Sequence, residues 1–436
     1  MEYINGENLI KPIIPDDFTK IQGEEIIFPA YVYQIRKGTG FSFVMLRCGR
    51  YIYQAVYIPQ LCKTSISELC EGAYIRVCGK IKEEKRAPFG IEITMNDFSV
   101  ISKPEEEFAV SVSDNALHCS VETNLKNRST TLRRPDQRAI LKISAEITKA
   151  FSDFMNGNGF TQIHTPGIVK ANIHPTSYPF RLKYFGEDAV LSTDKHIYMQ
   201  SGVAFFDRVF SVSEIFRSDK HNSTRHLNEY TSLDFEFAFA ENIYDIINLT
   251  TALLRHITDS IKNNCGYEME LCGVKEIPSA KKILTLSFTE AKEILGLKED
   301  KTDLDPTDCR YICQYAKENG SDFVFITHFP SQRCPLNFMD TPENNGLCQS
   351  FILLLDGFEI AGGGKKIHSF DEQTRKITQN GLALSDYSDF LELHKYALPP
   401  HGGCSIGLER LTMKLLDLEN IKLARLFARD MHHLSL

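Results

Sequence analysis

Residues 216–236 read FRSDKHNSTRHLNEYTSLDFE, and they decide the fold. The stretch follows an apolar run, Val209-Phe210-Ser211-Val212-Ser213-Glu214-Ile215-Phe216. It makes a polar, cation-rich excursion and returns as a second apolar run over residues 230–239. This pattern predicts two antiparallel strands joined by a long loop, with Arg217, Arg225 and His226 aimed at one place. Guanidinium forks and an imidazole suit a polyphosphate better than a core.

A chain of 436 residues predicts two or three domains. Hydrophobic content of 42% and charged content of 24% are ordinary for a globular protein. The net charge of -8 does not advertise nucleic-acid binding, so a nucleic-acid partner needs a local basic surface. The 12 cysteines include no CxxC pair, and Cys309 and Cys313 stand closest. That spacing predicts reduced thiols rather than disulfides or zinc. The first residues, MEYINGENLIKPIIPDDF, carry neither a basic nor an apolar leader region, and no run approaches the roughly 18 apolar residues of a membrane span. A cytoplasmic protein with no membrane partner is expected.

Upstream, residues 26–35, 41–46, 51–58, 74–82 and 91–101 are short runs rich in Val, Ile, Tyr and Phe. Lys37-Gly38-Thr39-Gly40 and Pro88-Phe89-Gly90 punctuate them. Five such strands suit a small OB-type barrel, either a binder of single-stranded nucleic acid or a purely structural unit. Residues 103–135 are polar and read as a hinge. From Asp136, Ile140, Ile143, Ile147, Ala150, Phe151 and Phe154 recur at helical spacing until Asn156-Gly157-Asn158-Gly159. A strand over 160–164 and Thr165-Pro166 follow. Residues 241–263 read as an amphipathic helix, 308–319 as another, and 286–291 as a strand end passing into a helix. Residues 323–327, 350–361 and 365–368 are strand candidates. The last motif, Gly402-Gly403-Cys404-Ser405-Ile406-Gly407-Leu408-Glu409-Arg410-Leu411, runs from a glycine-rich strand into a helix. Glycines admit a close ligand, and Arg410 can meet a phosphate or stack on a purine.

Three of these segments, in this order, resemble motifs 1, 2 and 3 of the class II aminoacyl-tRNA synthetases, in the aspartate/asparagine subgroup (IIb). The helix–turn–strand ending at Pro166 resembles motif 1, residues 216–236 motif 2, and residues 402–411 motif 3. Residues 324–330 (VFITHFP) and 350–368 (SFILLLDGFEIAGGGKKIH) resemble strands of archaeal-type aspartyl-tRNA synthetases. The likeness implies an α+β fold. Residues 1–105 are expected as an OB-type anticodon-binding-like domain and 106–135 as a hinge. Residues 136–436 are expected as a catalytic domain, an antiparallel sheet flanked by helices, that forms a homodimer through motif 1.

The resemblance also implies an activity: ATP-dependent activation of an amino acid, aspartate by default, and its transfer to tRNA of the Asp and possibly Asn type. In it Arg217 holds the α-phosphate and the substrate carboxylate. Asp219, where Glu is usual, and Tyr230, where Phe is usual, lie at the adenine. Arg225, His226 and Leu227 are the motif 2 loop positions for ATP; Glu359 carries Mg2+; Gly407 and Arg410 complete the ATP site. Arg217, Glu359 and Arg410 are thus the implied catalytic residues. The amino-acid positions depart from the pattern. The glutamate that meets the substrate ammonium falls on His174, a pocket glutamine on Lys195 and a pocket lysine on Tyr198. The arginine that grips the β-carboxylate falls on Lys366, a serine near magnesium on Gly362, and an aspartate on Ile352. Asp356 would share the strand face of Glu359 and compensate in part. Arg36, Phe43 and Gln54 fall where the family contacts the anticodon. Two other outcomes stay open: a paralogue that adenylates a different amino acid or uses a non-tRNA acceptor, and a non-catalytic tRNA-binding protein.

Overall fold

The computed structural model describes residues 14–114, 117–170, 178–220, 223–298, 300–343 and 346–434. The chain divides into two units, Met1–Ser120 with Ser129–Pro135, and Val121–Arg128 with Asp136–Leu436.

The first unit is a closed five-stranded barrel. Its strands are β1 (Glu25–Lys37), β2 (Ser42–Cys48), β3 (Tyr51–Tyr57), β4 (Tyr74–Glu83) and β5 (Ile91–Ser102), in the order β1-β2-β3-β5-β4. Alternation sends Val44, Leu46, Tyr53, Ala55, Val77 and Ile93 inward. A short helix, Pro15–Lys20, adds Phe18 to that core, where its ring meets Tyr53 edge-on at 4.6 Å.

The second unit holds β6 (Thr161–Gln162), β7 (Ile168–Val169), β8 (Arg181–Tyr184), β9 (Glu187–Leu191), β10 (Arg208–Phe216), β11 (Glu229–Ala238), β12 (Leu284–Ser287), β13 (Phe323–Thr327), β14 (Ser350–Leu355), β15 (Phe358–Lys366) and β16 (His401–Gly407). Eight of them form one sheet in the order β12-β13-β14-β15-β16-β11-β10-β6, and β7-β9-β8 form a small second sheet. The large sheet is antiparallel at its centre, as expected, and parallel only at its margins, β12/β13 and β10/β6. The β12–β13 connection explains one exception: it carries the helices Phe288–Leu295 and Pro306–Glu318, a crossover that returns the chain in the same direction.

One face of the sheet is apolar. Phe210, Leu233, Phe235, Phe351, Leu353, Cys404 and Ile406 pack there with Ile143, Ile147 and Phe151 of the helix Pro135–Gly157 and Ile246, Leu253 and Ile257 of the helix Ile243–Asn264. The first helix opens on proline, which lacks only an amide that would be unpaired anyway. It stops where the Asn-Gly pairs predict. The second is capped by Asn242, whose side chain accepts from the Tyr244 amide at 2.8 Å.

Three expectations change. The expected strand over 350–361 is a hairpin, because Asp356 and Gly357 both have positive φ, 46° and 75°, and turn the chain back as β15. The strand over 160–164 shortens to Thr161–Gln162. The thiols are not all reduced: Cys334 and Cys348 are joined by a disulfide. Sequence spacing missed it because the two cysteines meet through the fold of the segment between β13 and β14. Among the described residues no helix is long and apolar enough to cross a membrane.

Candidate active site

The other face of the large sheet is apolar over β13 and β14, where Val324, Ile326, Ile352 and Leu354 pack with Phe288, Ala291 and Ile312 of the crossover helices. Over β11, β15 and β16 it is polar, and a cavity of about 770 Å³ opens there. Register explains which side chains it receives. Leu233 and Phe235 of β11 point to the core, so Ser232, Asp234 and Glu236 point the other way. Across the ladder, Ser232 pairs with Gly407, Asp234 with Ser405 and Glu236 with Gly403 of β16. Gly362 then pairs with Ser405. Gly407 and Gly362 open onto the cavity. A Cβ at Gly407 would meet only Arg410 at 3.7 Å, and one at Gly362 would lie 3.5 Å from a Glu359 carboxylate oxygen. The remaining glycines of the cluster serve packing: a Cβ at Gly403 would run into the Phe235 carbonyl oxygen.

Arg217 leaves β10 at the mouth of the cavity. Its backbone is clamped to the returning strand: its amide donates to the Asn228 carbonyl at 2.8 Å, and the Asn228 side-chain amide donates to the carbonyls of Arg217 at 2.6 Å and Asp219 at 3.1 Å. Asp219, Arg225, His226, Leu227 and Tyr230 also line the cavity. Arg225 stacks on Phe358, 4.0 Å from the ring centroid. Burial lowers the Arg225 pKa, and the nearby Arg310 and Arg410 add to the shift. His226 Nδ1 shares a 2.7 Å hydrogen bond with Ser223. Leu227 and Tyr230 pack against Met413 and Ile421. Arg410 donates to the Glu359 carbonyl at 3.0 Å.

The sequence reading missed two residues of this end, Asp303 and Arg333. Arg333 donates to Asp303 at 2.6 Å and lies 4.0 Å from the Glu359 carboxylate. Both sit in irregular segments, where no periodicity announces a role. Also missed was Glu409, which accepts from the Thr231 amide and pairs with Arg425 at 2.6 Å. Arg425 further bridges Glu214 and Glu229, tying β10, β11 and the segment after β16 together beneath Arg410.

Glu359 offers a carboxylate to a divalent cation here, while Asp303 is held by Arg333. Among the described residues no group of three His, Cys, Asp or Glu could hold a metal. Ile352 is buried and apolar, and Gly362 brings no ligand. Asp356 does not share the face of Glu359. It lies in the hairpin turn, paired with Lys414 and facing away from the cavity. One carboxylate suits magnesium only where phosphate oxygens complete the shell, which is how that cation is commonly held beside nucleotides.

The opposite end of the cavity carries buried charges of both signs. Lys195 is buried and donates to the Pro166 carbonyl at 2.9 Å. Burial lowers its pKa, against Asp234, Asp194 and Glu214. Lys366 is enclosed, 1% exposed, with its ammonium 3.7 Å from the Phe338 ring centroid. Burial lowers its pKa and raises that of Glu236 to about 7, each group opposing the shift of the other. Burial holds His401 neutral, with its pKa lowered to about 3. Its Nδ1 donates to the Pro399 carbonyl at 2.7 Å, which leaves Nε2 to accept from Gln200 at 2.9 Å. Neither Lys366 nor Tyr198 lines the cavity. A helix begins at His196, and its turn carries Tyr198 aside while Met199 and Gln200 face inward. His174 lies outside the described residues.

In the barrel unit, Arg36 pairs with Phe43 in the β1/β2 ladder, and Met45 with Gln54 in β2/β3. All three candidate residues stand on the outer face. Arg36 donates to Gln34 at 2.7 Å, Gln54 donates to Glu92 at 2.7 Å, and Phe43 meets Phe41 edge-on at 5.1 Å.

Residues 120–431 match the family described as tRNA synthetases class II (D, K and N). The aspartate--tRNA(Asp/Asn) ligase of Deinococcus radiodurans is 33% identical over 440 residues, 98% of this chain and 99% of that one. The ligase of the same name from Thermus thermophilus is 36% identical over 367 residues, 83% and 86% of the two chains. The fold matches that of asparaginyl-tRNA synthetase from Pyrococcus horikoshii complexed with asparaginyl-adenylate, with TM-score 0.89 and 23% identity over 98% of this chain and 100% of that one.

Proposed function

The chain belongs to the class II tRNA synthetases of the D, K and N group, and from that premise we propose that it adenylates aspartate and passes it to tRNA of the Asp or Asn type. The observation that carries this reading is one cavity with Arg217, Arg225 and Arg410 at one end and buried charges of both signs at the other. The substrate carboxylate attacks the α-phosphorus of ATP, and the bond to pyrophosphate breaks. Arg217 holds the carboxylate and the α-phosphate together, which supplies proximity and charge stabilisation in a single fork. Arg225 and Arg410 take the outer phosphates, while Tyr230 and Asp219 border the base. Glu359 would hold magnesium, which when bound would supply charge neutralisation on the phosphates. The adenylate then passes to a 3′-terminal ribose hydroxyl of tRNA.

The barrel face at Arg36, Phe43 and Gln54 reads the anticodon. The domains divide near residues 105 and 135, the protein works as a homodimer, and its place is cytoplasmic translation. A second reading is favoured by Lys366, which is enclosed with Glu236 and Phe338 rather than opening to the cavity. That arrangement gives no arginine fork for a β-carboxylate, and it suits a different amino acid, charged to tRNA or to another acceptor. ATP–pyrophosphate exchange across the twenty amino acids tests both. Exchange with aspartate alone is expected; exchange only with another amino acid supports the second reading, and exchange with none overturns both.

A further inference from the structure

Phe358 opens β15, directly after the Asp356-Gly357 turn and one residue before Glu359. Its side chain packs against the cluster of Leu227, Met413 and Ile421 that also receives Tyr230. Phe358 does not itself line the cavity. Arg225, which does, lies over its ring at 4.0 Å from the centroid. Lys414 stands 4.6 Å from the same centroid and is paired with Asp356. Arg225 is differently placed. The charged side chains it feels, Arg310 and Arg410, are cations, and no carboxylate among the described residues opposes them.

A guanidinium so placed would ordinarily swing out to water, since burial and two like charges both oppose its staying. An aromatic face answers both effects. The ring quadrupole attracts a cation, and a guanidinium is weakly hydrated and stacks on it readily. The backbone supplies the rest of the placement. Ser223 Oγ accepts from the Arg225 amide at 3.1 Å and shares a 2.7 Å hydrogen bond with His226 Nδ1. The side chain is thus tied at its root by Ser223 and at its far end by the ring. Holding a long, flexible side chain in place before its anion arrives removes part of the ordering cost of binding.

We propose that Phe358 is a positioning residue for ATP, its ring holding the Arg225 guanidinium ready for the outer phosphates. The inference rests on the adenylation reading for its ligand. The full-length wild type and Phe358→Leu are titrated calorimetrically with ATP and with AMP, which lacks the outer phosphates. Leucine keeps most of the apolar volume and removes the ring face. Phe358→Leu is expected to bind ATP roughly three- to thirtyfold more weakly, with its AMP affinity within about twofold of wild type. Phe358→Tyr should restore the ATP affinity, because it restores the face. In an Arg225→Ala background the leucine substitution should weaken ATP no further, since the two side chains act as one unit. A merely structural role would weaken both nucleotides and would persist without Arg225. If Phe358→Leu does not fold, Phe358→Met takes its place and is judged in the same way. Unchanged ATP affinity, equal weakening toward ATP and AMP, or an undiminished effect in the Arg225→Ala background overturns the inference. A wild type that binds no ATP overturns the inference and the adenylation reading together. ATP binding without pyrophosphate exchange counts against that reading alone and leaves the role of Phe358 decided by the variants.

Discussion

Arg217 and Lys366 show how differently two cations can serve one chain. Arg217 is held by its backbone, through Asn228, while its guanidinium is in no ion pair among the described residues. Its removal should therefore cost function and not stability. Arg217→Ala is expected to lower ATP–pyrophosphate exchange at least a hundredfold, since it removes charge-assisted contacts each worth roughly 1.5–3 kcal/mol. The unfolding midpoint should move by less than about 1 °C, in keeping with a small effect on stability; a large drop in a thermal melt would show that the side chain is structural. Lys366 is the reverse case, buried with Glu236 and a Phe338 face. The family resemblance placed it where an arginine grips the β-carboxylate of the substrate. Only the burial of that strand end shows where its ammonium goes.

The glycine-rich strand β16 separates two uses of the same residue type. Gly403 sits where β11 passes so close that a side chain would strike the Phe235 carbonyl, whereas Gly407 faces open space beside Arg410. Gly403→Ala should lose the fold or much of its stability, by about 1–3 kcal/mol or more. Gly407→Ala should melt like the wild type and raise the KM for ATP. Equal melting temperatures for the two variants would contradict this division. The sequence presented these glycines as one ligand-binding cluster, and backbone spacing between strands is what divides them. The hairpin at Asp356-Gly357 was legible, since Asp-Gly between apolar runs is a strong signal for a type I′ turn. Reading through it placed Asp356 on the wrong face. The helix His196–Phe206 was not legible, because HIYMQSGVAFF is apolar on most sides and shows little periodicity.

At the scale of the whole molecule, the proposed function assigns recognition to the barrel and chemistry to the sheet unit. Phe43 lies on the outer face of the barrel, away from its core. Phe43→Ala should weaken tRNA binding roughly tenfold, as expected for one lost base stack of about 1–3 kcal/mol. Amino-acid activation should be untouched, so the pair of measurements, tRNA affinity by filter binding and exchange without tRNA, is informative together. A fall in both would place Phe43 in the support of the fold. The chain's own order of residues determined the barrel, the long helix after the hinge, the strand pair around residues 216–236 and the Gly-rich strand running into Arg410. Each of these is written in local periodicity, turn residues and motif spacing, which a linear reading can see. Only the tertiary structure decided the parallel margins of the sheet, the Cys334–Cys348 bond and the company kept by Lys366. Those depend on which distant segments meet, and on how completely their meeting excludes water from a charge.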